Sequence, residues 1–373
     1  MLTEFEMQKC FRCGICKVIC PMFTRAGGWE DTTPKGRVML ALGLRQGEVE
    51  INDELIRDFY QCSTCMQCEV NCPAGAKVTE IIRETRGAIV EAGVSVPFAH
   101  KGVFDIVSRM TAREGLTPNW KDLIKGDFQE EGELVYFPGC LPYVEPLLNF
   151  DLGAGEIMSG VVKILNQAGI KPAILQNLAC CGHDAFWSGE YSLFHLLREK
   201  NSKILKGAKV IVTSCAECYT SLKRDYSLGA EVYHISQFVR DLIKSGKLAL
   251  KKGEERVTFH DPCRLGRHMN EYDAPREVLK AVADYREMPR ARRDALCCGV
   301  GAWMNCNEYS KQIRLDRMGE ASQVAATLIT GCTKCLAHFR CLMAEPEKTE
   351  GLPEVNIVDF ASFVSRNLRE VGI

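Results

Sequence analysis

Eight cysteines occur in two copies of one spacing: Cys10, Cys13, Cys16 and Cys20 precede Pro21, and Cys62, Cys65, Cys68 and Cys72 precede Pro73. Both copies read C-x2-C-x2-C-x3-C-P. Three thiolates at intervals of three residues converge on one face of a cuboidal 4Fe-4S cluster, while the fourth, beside proline, belongs to the other cluster. The spacing therefore assigns Cys10, Cys13, Cys16 and Cys72 to one cubane, and Cys62, Cys65, Cys68 and Cys20 to a second. Zinc is the alternative, because C-x2-C pairs also build zinc sites, but it leaves two identical quartets with proline unexplained.

A longer repeat fills the C-terminal half. Cys140 is followed by Cys180-Cys181-Gly182 and then Cys215-x2-Cys218; Cys263 is followed by Cys297-Cys298-Gly299 and then Cys332-x2-Cys335. The stretches 182–214 and 299–331 are equal, 33 residues each, which points to duplication. Five thiolates exceed the four that one zinc or one cubane uses, so the surplus suggests a bridging role.

These 18 of the chain's 20 cysteines stand in 373 residues, enough to build a core without disulfide staples. About 150 residues per domain suggests two or three domains. Lys+Arg 47 against Asp+Glu 48 leaves a formal charge of -1, and nothing in that balance recruits nucleic acid or an anionic membrane surface. The first nine residues have neither a basic nor an apolar signal region, and no stretch approaches the ~18 uncharged apolar residues of a membrane span. A cytoplasmic protein is expected, with membrane association only through a partner subunit.

The elements that must position these cysteines follow from periodicity. Gly36 to Gln46, Ile51 to Gln61 and Lys77 to Val94 have helical character, the last with Val78, Ile81, Ile82, Ile89 and Val90 on one face. Phe98 to Asp127 reads as a helix plus a connecting segment. Val135 to Phe137, Val210 to Val212, Val257 to Phe259 and Ala325 to Ile329 read as strands alternating with amphipathic helices, which favours a largely parallel sheet. Cys140, Cys215, Cys263 and Cys332 each follow such a strand, where open α/β sheets place their ligand sites. The expected fold class is a multi-domain α+β chain. A helical two-cluster domain covers 1–100, a linker helix 101–130, and two α/β cysteine-rich domains 131–250 and 251–373.

The residues between the two proline-terminated motifs resemble the helical ferredoxin domain of succinate dehydrogenase iron-sulfur subunits. Thr33-Pro34-Lys35-Gly36-Arg37 is similar to a segment in the iron-sulfur subunits of glycolate and glycerol-3-phosphate dehydrogenases. The C-terminal repeat resembles the CCG cysteine-rich domains of the heterodisulfide reductase B subunit. The resemblance implies one noncubane 4Fe-4S cluster at Cys140, Cys180, Cys181, Cys215 and Cys218, and another at Cys263, Cys297, Cys298, Cys332 and Cys335, with zinc at one site as the alternative. The whole chain resembles the D subunit of heterodisulfide reductase, a fusion of C-like and B-like parts. His260-Asp261-Pro262-Cys263, Leu265-Gly266-Arg267 and the stretch 234–248 carry the resemblance beyond the cysteines. It implies an iron-sulfur oxidoreductase subunit whose two cubanes exchange electrons with a facing pair of noncubane clusters that reduce a small-molecule disulfide or oxidise thiols. The alternative is an electron-relay subunit of a flavin-dependent glycolate, lactate or glycerol-3-phosphate dehydrogenase.

No G-x-G-x-x-G after a strand and no P-loop is present, so a partner must supply or remove electrons. A flavoprotein, an electron-transfer flavoprotein, a hydrogenase or formate dehydrogenase module, or a membrane cytochrome b would serve. His183 follows the first CC-G, and His260 lies three residues before Cys263; either could protonate a leaving thiolate, the competing reading being packing histidines at strand ends. Arg264, Arg267 and His268 read as solvated surface charge, with attraction for an anionic thiol substrate or for the negative charge of a reduced cluster as the alternative. Arg286 and Arg290 to Arg293 read as a solvent-facing or docking surface. Cys306 and Cys341, outside every motif, read as small buried hydrophobes.

Overall fold

The computed structural model describes residues 4–25, 28–114, 120–148, 151–344 and 354–369. Up to residue 114 the described residues form helices and turns: α1 (Glu4–Gln8), α2 (Ile15–Ile19), α3 (Pro34–Gln46), α4 (Asp53–Gln61), α5 (Gln67–Val70), α6 (Val78–Glu91) and α7 (Val103–Ala112), with a 3-10 turn at Ala99–Gly102. Local chemistry sets the ends of α3 and α4. Thr33 Oγ1 accepts from the Gly36 N–H at 2.8 Å with Pro34 in the first turn, and Gly47 closes α3 in the left-handed region. Asn52 caps α4 by accepting from Leu55 N–H at 2.9 Å. The apolar stripes of α3, α4 and α6 meet in a core containing Val38, Phe59, Ile81, Ile82 and Ile89. Gly36 is sterically required, because a Cβ there would lie 1.9 Å from the Glu30 carbonyl oxygen. The next residue, Arg37, is fully buried and donates to the Asp58 carbonyl at 2.5 Å.

The remaining α-helices among the described residues are α8 (Leu141–Leu148), α9 (Ala154–Gln167), α10 (His183–Ser188), α11 (Tyr191–Ile204), α12 (Ala216–Thr220), α13 (Ile235–Lys244), α14 (Asp273–Val282), α15 (Glu308–Ser322), α16 (Thr333–Met343) and α17 (Phe360–Arg366). They surround two parallel sheets. β1 (Leu134–Tyr136), β2 (Val210–Thr213) and β3 (Glu231–His234) lie in that order; β4 (Arg256–His260), β5 (Asp284–Tyr285), β6 (Thr327–Thr330) and β7 (Asn356–Asp359) lie in the order β5-β4-β6-β7. Strands covered on both faces need apolar runs, and the buried residues of Val210–Thr213 and Thr327–Thr330 supply them.

The cysteine repeat maps onto this topology. β1 and β4 lead into Cys140 and Cys263, and β2 and β6 lead into the two C-x2-C motifs. β3 and β7 each end in a residue that caps the next helix, His234 for α13 and Asp359 for α17. The carboxyl ends of β2 and β6 meet, where the Ala216 N–H donates to the Gly331 carbonyl at 3.0 Å. His234 Nε2 bonds the same carbonyl at 2.9 Å, and a Cβ on Gly331 would lie 2.6 Å from the His234 ring, so glycine is what lets the halves approach. α17 then crosses back onto α9, against Gly160.

Candidate functional site: cysteine sets joined across a pseudo-twofold axis

In the N-terminal helices, Cys10, Cys13, Cys16 and Cys72 line one recess together with Cys68 and Lys35. Cys72 thus sits with the other motif's first three cysteines, and Cys20 faces Cys62 and Cys65. Burial pushes the Cys20 thiol up to about 11, and burial beside Cys62, Cys65 and Cys20 pushes Cys68 well above its ordinary value. A buried thiol held neutral by crowding is a poor resting state, and bound iron would relieve it by taking the thiolate. Of the five cysteines at the recess, Cys10, Cys13, Cys16 and Cys72 make the four that a cubane takes.

The CCG cysteines also converge. Cys263, Cys297, Cys298, Cys332 and Cys335 all line a single small cavity, closed by Ser63 and Glu217. The Cys335 thiol donates to Cys298 Sγ at 3.3 Å. Close sulfur neighbours continue in both directions: Cys332 with Cys335 and Cys215, Cys215 with Cys218, Cys218 with Cys181, and Cys181 with Cys180. At the other end Cys298 meets Cys297, which meets both Cys263 and Cys65. One run of sulfur contacts therefore crosses both repeats and reaches the second proline-terminated motif. Cys140 faces Cys215 and Cys181. Gly139 makes room for this set, since a Cβ there would lie 2.4 Å from Cys218 Sγ. The donor set and the five-sulfur cavity suit an iron-sulfur cluster at the second repeat.

Cys65 is in place because two arginines hold its loop. Arg264 donates to the Thr64 carbonyl at 3.1 Å and to Thr64 Oγ1 at 2.7 Å, and Arg267 donates to the Cys65 carbonyl at 2.5 Å and to the Ala295 carbonyl at 2.7 Å. The expectation of solvated charge at Arg264, Arg267 and His268 is wrong. Arg264 and Arg267 are 2% and 6% exposed, and the His268 ring bonds the Thr64 carbonyl at 3.0 Å, so all three belong to the contact between the N-terminal helices and the second repeat. Arg86 makes the matching contact with the first repeat, donating to the Phe59, Cys62 and Trp187 carbonyls. Arg290 and Arg292 are exposed as expected, whereas Cys306 and Cys341 are half-buried rather than buried.

Between the two CCG sets lies a buried charge cluster that the sequence reading missed. The Lys334 ammonium, 2% exposed, pairs with Asp184 and Glu217. His183 Nδ1 stands 3.3 Å from Asp184 Oδ1 and 3.4 Å from Glu217 Oε2. Burial and the facing Arg264 hold the His183 imidazole down to about 3. Burial opposes ionisation of Asp184, but Lys334 and His183 hold it down to about 2, whereas burial leaves Glu217 well above the carboxylate range. The signal was present in the repeat: Glu217 and Lys334 occupy the same position of Cys215-x2-Cys218 and Cys332-x2-Cys335, with opposite charge.

His260 is placed differently from His183. It is 1% exposed, the last residue of β4, and one of its ring nitrogens lies within 4.8 Å of Cys298 Sγ and Cys335 Sγ. The buried pair of Asp261 and Arg276, with bonds of 2.7 and 2.8 Å, fixes the turn that follows.

Residues 6–76 match the 4Fe-4S dicluster domain family, and residues 134–223 and 257–340 match the cysteine-rich domain family twice. Over 370 residues the chain is 30% identical to the D subunit of dihydromethanophenazine:CoB--CoM heterodisulfide reductase from Methanosarcina barkeri, covering 88% of this chain and 87% of that protein. The chain belongs to the heterodisulfide reductase D-subunit family. The Methanosarcina mazei D subunit is 27% identical, covering 88% of this chain and 86% of its own length. The B subunit of fumarate reductase (CoM/CoB) from Methanothermobacter marburgensis is 25% identical, covering 95% of this chain and 71% of its own length. This member of the D-subunit family is thus an iron-sulfur oxidoreductase subunit with a role in electron transport, built for iron-sulfur clusters and related to subunits of larger complexes. No helix among its described residues is long and apolar enough to cross a membrane.

Proposed function

We propose that the protein carries electrons from a partner subunit through two cubane clusters in its N-terminal helices to two noncubane clusters at the CCG repeats, which reduce a small-molecule disulfide or, in reverse, oxidise a thiol pair. The observation that carries this reading is the succession of neighbouring sulfurs from Cys180 to Cys297, with Cys65 beside Cys297 and the Cys335–Cys298 contact of 3.3 Å in its middle. When bound, the clusters supply one-electron carriers and iron sites for sulfur, and two of them side by side match the two electrons a disulfide takes.

The chain's own residues supply the rest. Arg264 and Arg267 hold the Thr64–Cys65 loop against the second repeat, so electrons reach the CCG pair there. Each thiolate formed from the disulfide needs a proton, and His183, Asp184, Glu217 and Lys334 form a polar island between the two cysteine sets from which one can be passed. Glu217 is the member that also lines the second repeat's cavity. At the far end, Cys13 is exposed beside Phe11 and Val18, 74% and 78% exposed, and the electron-exchanging partner meets the chain on that face.

The test is anaerobic iron quantification with EPR of the oxidised, thiol-treated protein, followed by turnover of small disulfides with reduced viologen. About 16 iron per chain, a thiol-dependent signal and disulfide turnover are expected. About eight iron with no such signal reduces the chain to a two-cubane relay and overturns the reading.

A further inference from the structure

The two CCG halves are inequivalent at one position that touches a cluster ligand. Aligned on Cys140 and Cys263, the residue three places earlier is Phe137 in the first half and His260 in the second. Both are buried, His260 as the last residue of β4 and Phe137 directly after β1. Phe137 has no N–H to offer a sulfur; His260 has one.

The environment of His260 fixes where that proton sits. Arg317, itself fully buried, donates from Nε to His260 Nδ1 at 3.2 Å, and is held in place by its bonds to the Arg290 carbonyl and to Glu320 Oε2, both at 2.7 Å. A guanidinium only donates, so Nδ1 is the accepting nitrogen and Nε2 carries the hydrogen. His260 Nε2 is buried without a hydrogen-bond partner. The ring is wedged edge-on against Phe339, centroids 4.9 Å apart, which removes its freedom to turn away. The acceptors left for the Nε2 hydrogen are the sulfurs of Cys298 and Cys335, both within 4.8 Å of a ring nitrogen, and Cys298 is the one whose charge couples to the ring.

We propose that His260, its tautomer locked by Arg317, is a standing N–H donor to the Cys298 thiolate that raises the reduction potential of the second CCG cluster above that of the first. A donor aimed at a ligating sulfur withdraws electron density and favours the more negative, reduced state, and the low dielectric of a buried site strengthens the effect. His260 is in this account a tuning residue and Arg317 a positioning residue, so the role of His260 differs from proton donation to a leaving thiolate. The second cluster lies on the side of Cys65, so the electron arriving first comes to rest beside the cubane that delivers it.

This inference rests on the two-noncubane reading above, and the experiment separates the two. In the full-length holoprotein, EPR-monitored redox titration and iron content are compared for wild type, His260→Phe and His260→Gln. His260→Phe installs the first half's residue; the expected result is that one CCG signal moves to lower potential by about a tenfold change in its oxidised-to-reduced ratio, 59 mV for one electron, while the other signal and the iron content stay put. His260→Gln keeps an N–H and restores most of the shift. Arg317→Gln, which frees the tautomer, shifts the same signal in the same direction, and it decides the matter where His260→Phe loses iron. An unmoved potential with full iron in these variants, or equal shifts in Phe and Gln, overturns the proposal. Wild type lacking a second CCG signal defeats the parent reading instead.

Discussion

Removing the Lys334 charge tests the central cluster directly. Lys334→Met keeps the length of the side chain but leaves Asp184 and Glu217, 8% and 7% exposed, facing each other and His183 without the ammonium that pairs with both. Breaking a buried pair by deleting one partner costs about 3–5 kcal/mol, because the remaining charge is desolvated and unpaired. For 373 residues the entropy of unfolding near the midpoint is about 0.8 kcal/mol/K, so a single cooperative transition falls by about 4–6 °C. The assay is anaerobic calorimetry of the reconstituted protein with iron counted before and after. Adding Asp184→Asn and Glu217→Gln removes the stranded acids and returns most of the loss, since replacing every member of a buried ion cluster is far cheaper than removing one. A Lys334→Met midpoint within about 1 °C of wild type, with full iron, refutes the claim that this cluster is desolvated.

Other perturbations separate the parts. Cys72→Ser and Cys20→Ser each remove about four iron, but from different clusters, so EPR loses the partner of the Cys10 motif in the first variant and of the Cys62 motif in the second; loss of the same signal in both contradicts the crossed assignment. Arg86→Met leaves the Phe59, Cys62 and Trp187 carbonyls without a buried donor, at about 1–3 kcal/mol for each unsatisfied group, and hydrogen exchange at 59–62 and 185–190 rises if that arginine holds the N-terminal helices to the first repeat. Burial raises Asp359 to about 7 although the Ala361 and Ser362 N–H groups oppose the rise. Its folded value lies above its unfolded one, so the stability it contributes is complete below about pH 4 and is lost as pH rises through 7, about 4 kcal/mol in all. Asp359→Asn keeps the capping oxygen and flattens that slope in urea melts at pH 5 and pH 8; parallel slopes in the two proteins contradict the buried carboxyl.

What could be read from residue order was whatever local chemistry decides. The strands before Cys140, Cys215, Cys263 and Cys332 are short apolar runs, and the helix over Val78–Glu91 has a repeating buried face, so both are legible in a window of a few residues. Arg264 and Arg267 are not, because a charged residue next to a cysteine reads as solvated until the loop carrying Thr64 and Cys65, some 200 positions away in the chain, arrives to cover it. The placing of His183 and His260 was also out of reach, since their different partners, carboxylates for one and a thiol plus an arginine for the other, come from α12, α15 and the CC-G loops.

Why the site is built by one duplicated chain rather than by two copies of a half follows from the charge on its axis. In a true twofold dimer the residue third in the C-x2-C motif would meet its own copy at the centre, so a buried lysine would face lysine and a glutamate would face glutamate. Like charges brought together without water shift or neutralise each other, and neither pair could hold the two halves closed. Once the halves share a chain they can diverge, and here they have done so at the third motif position: Glu217 on one side, Lys334 on the other, with Asp184 added where the second half has Gly301. The same freedom put His260 opposite Phe137. Duplication within one chain is the arrangement that lets two neighbouring cysteine sets keep the same cysteines while their surroundings set them apart.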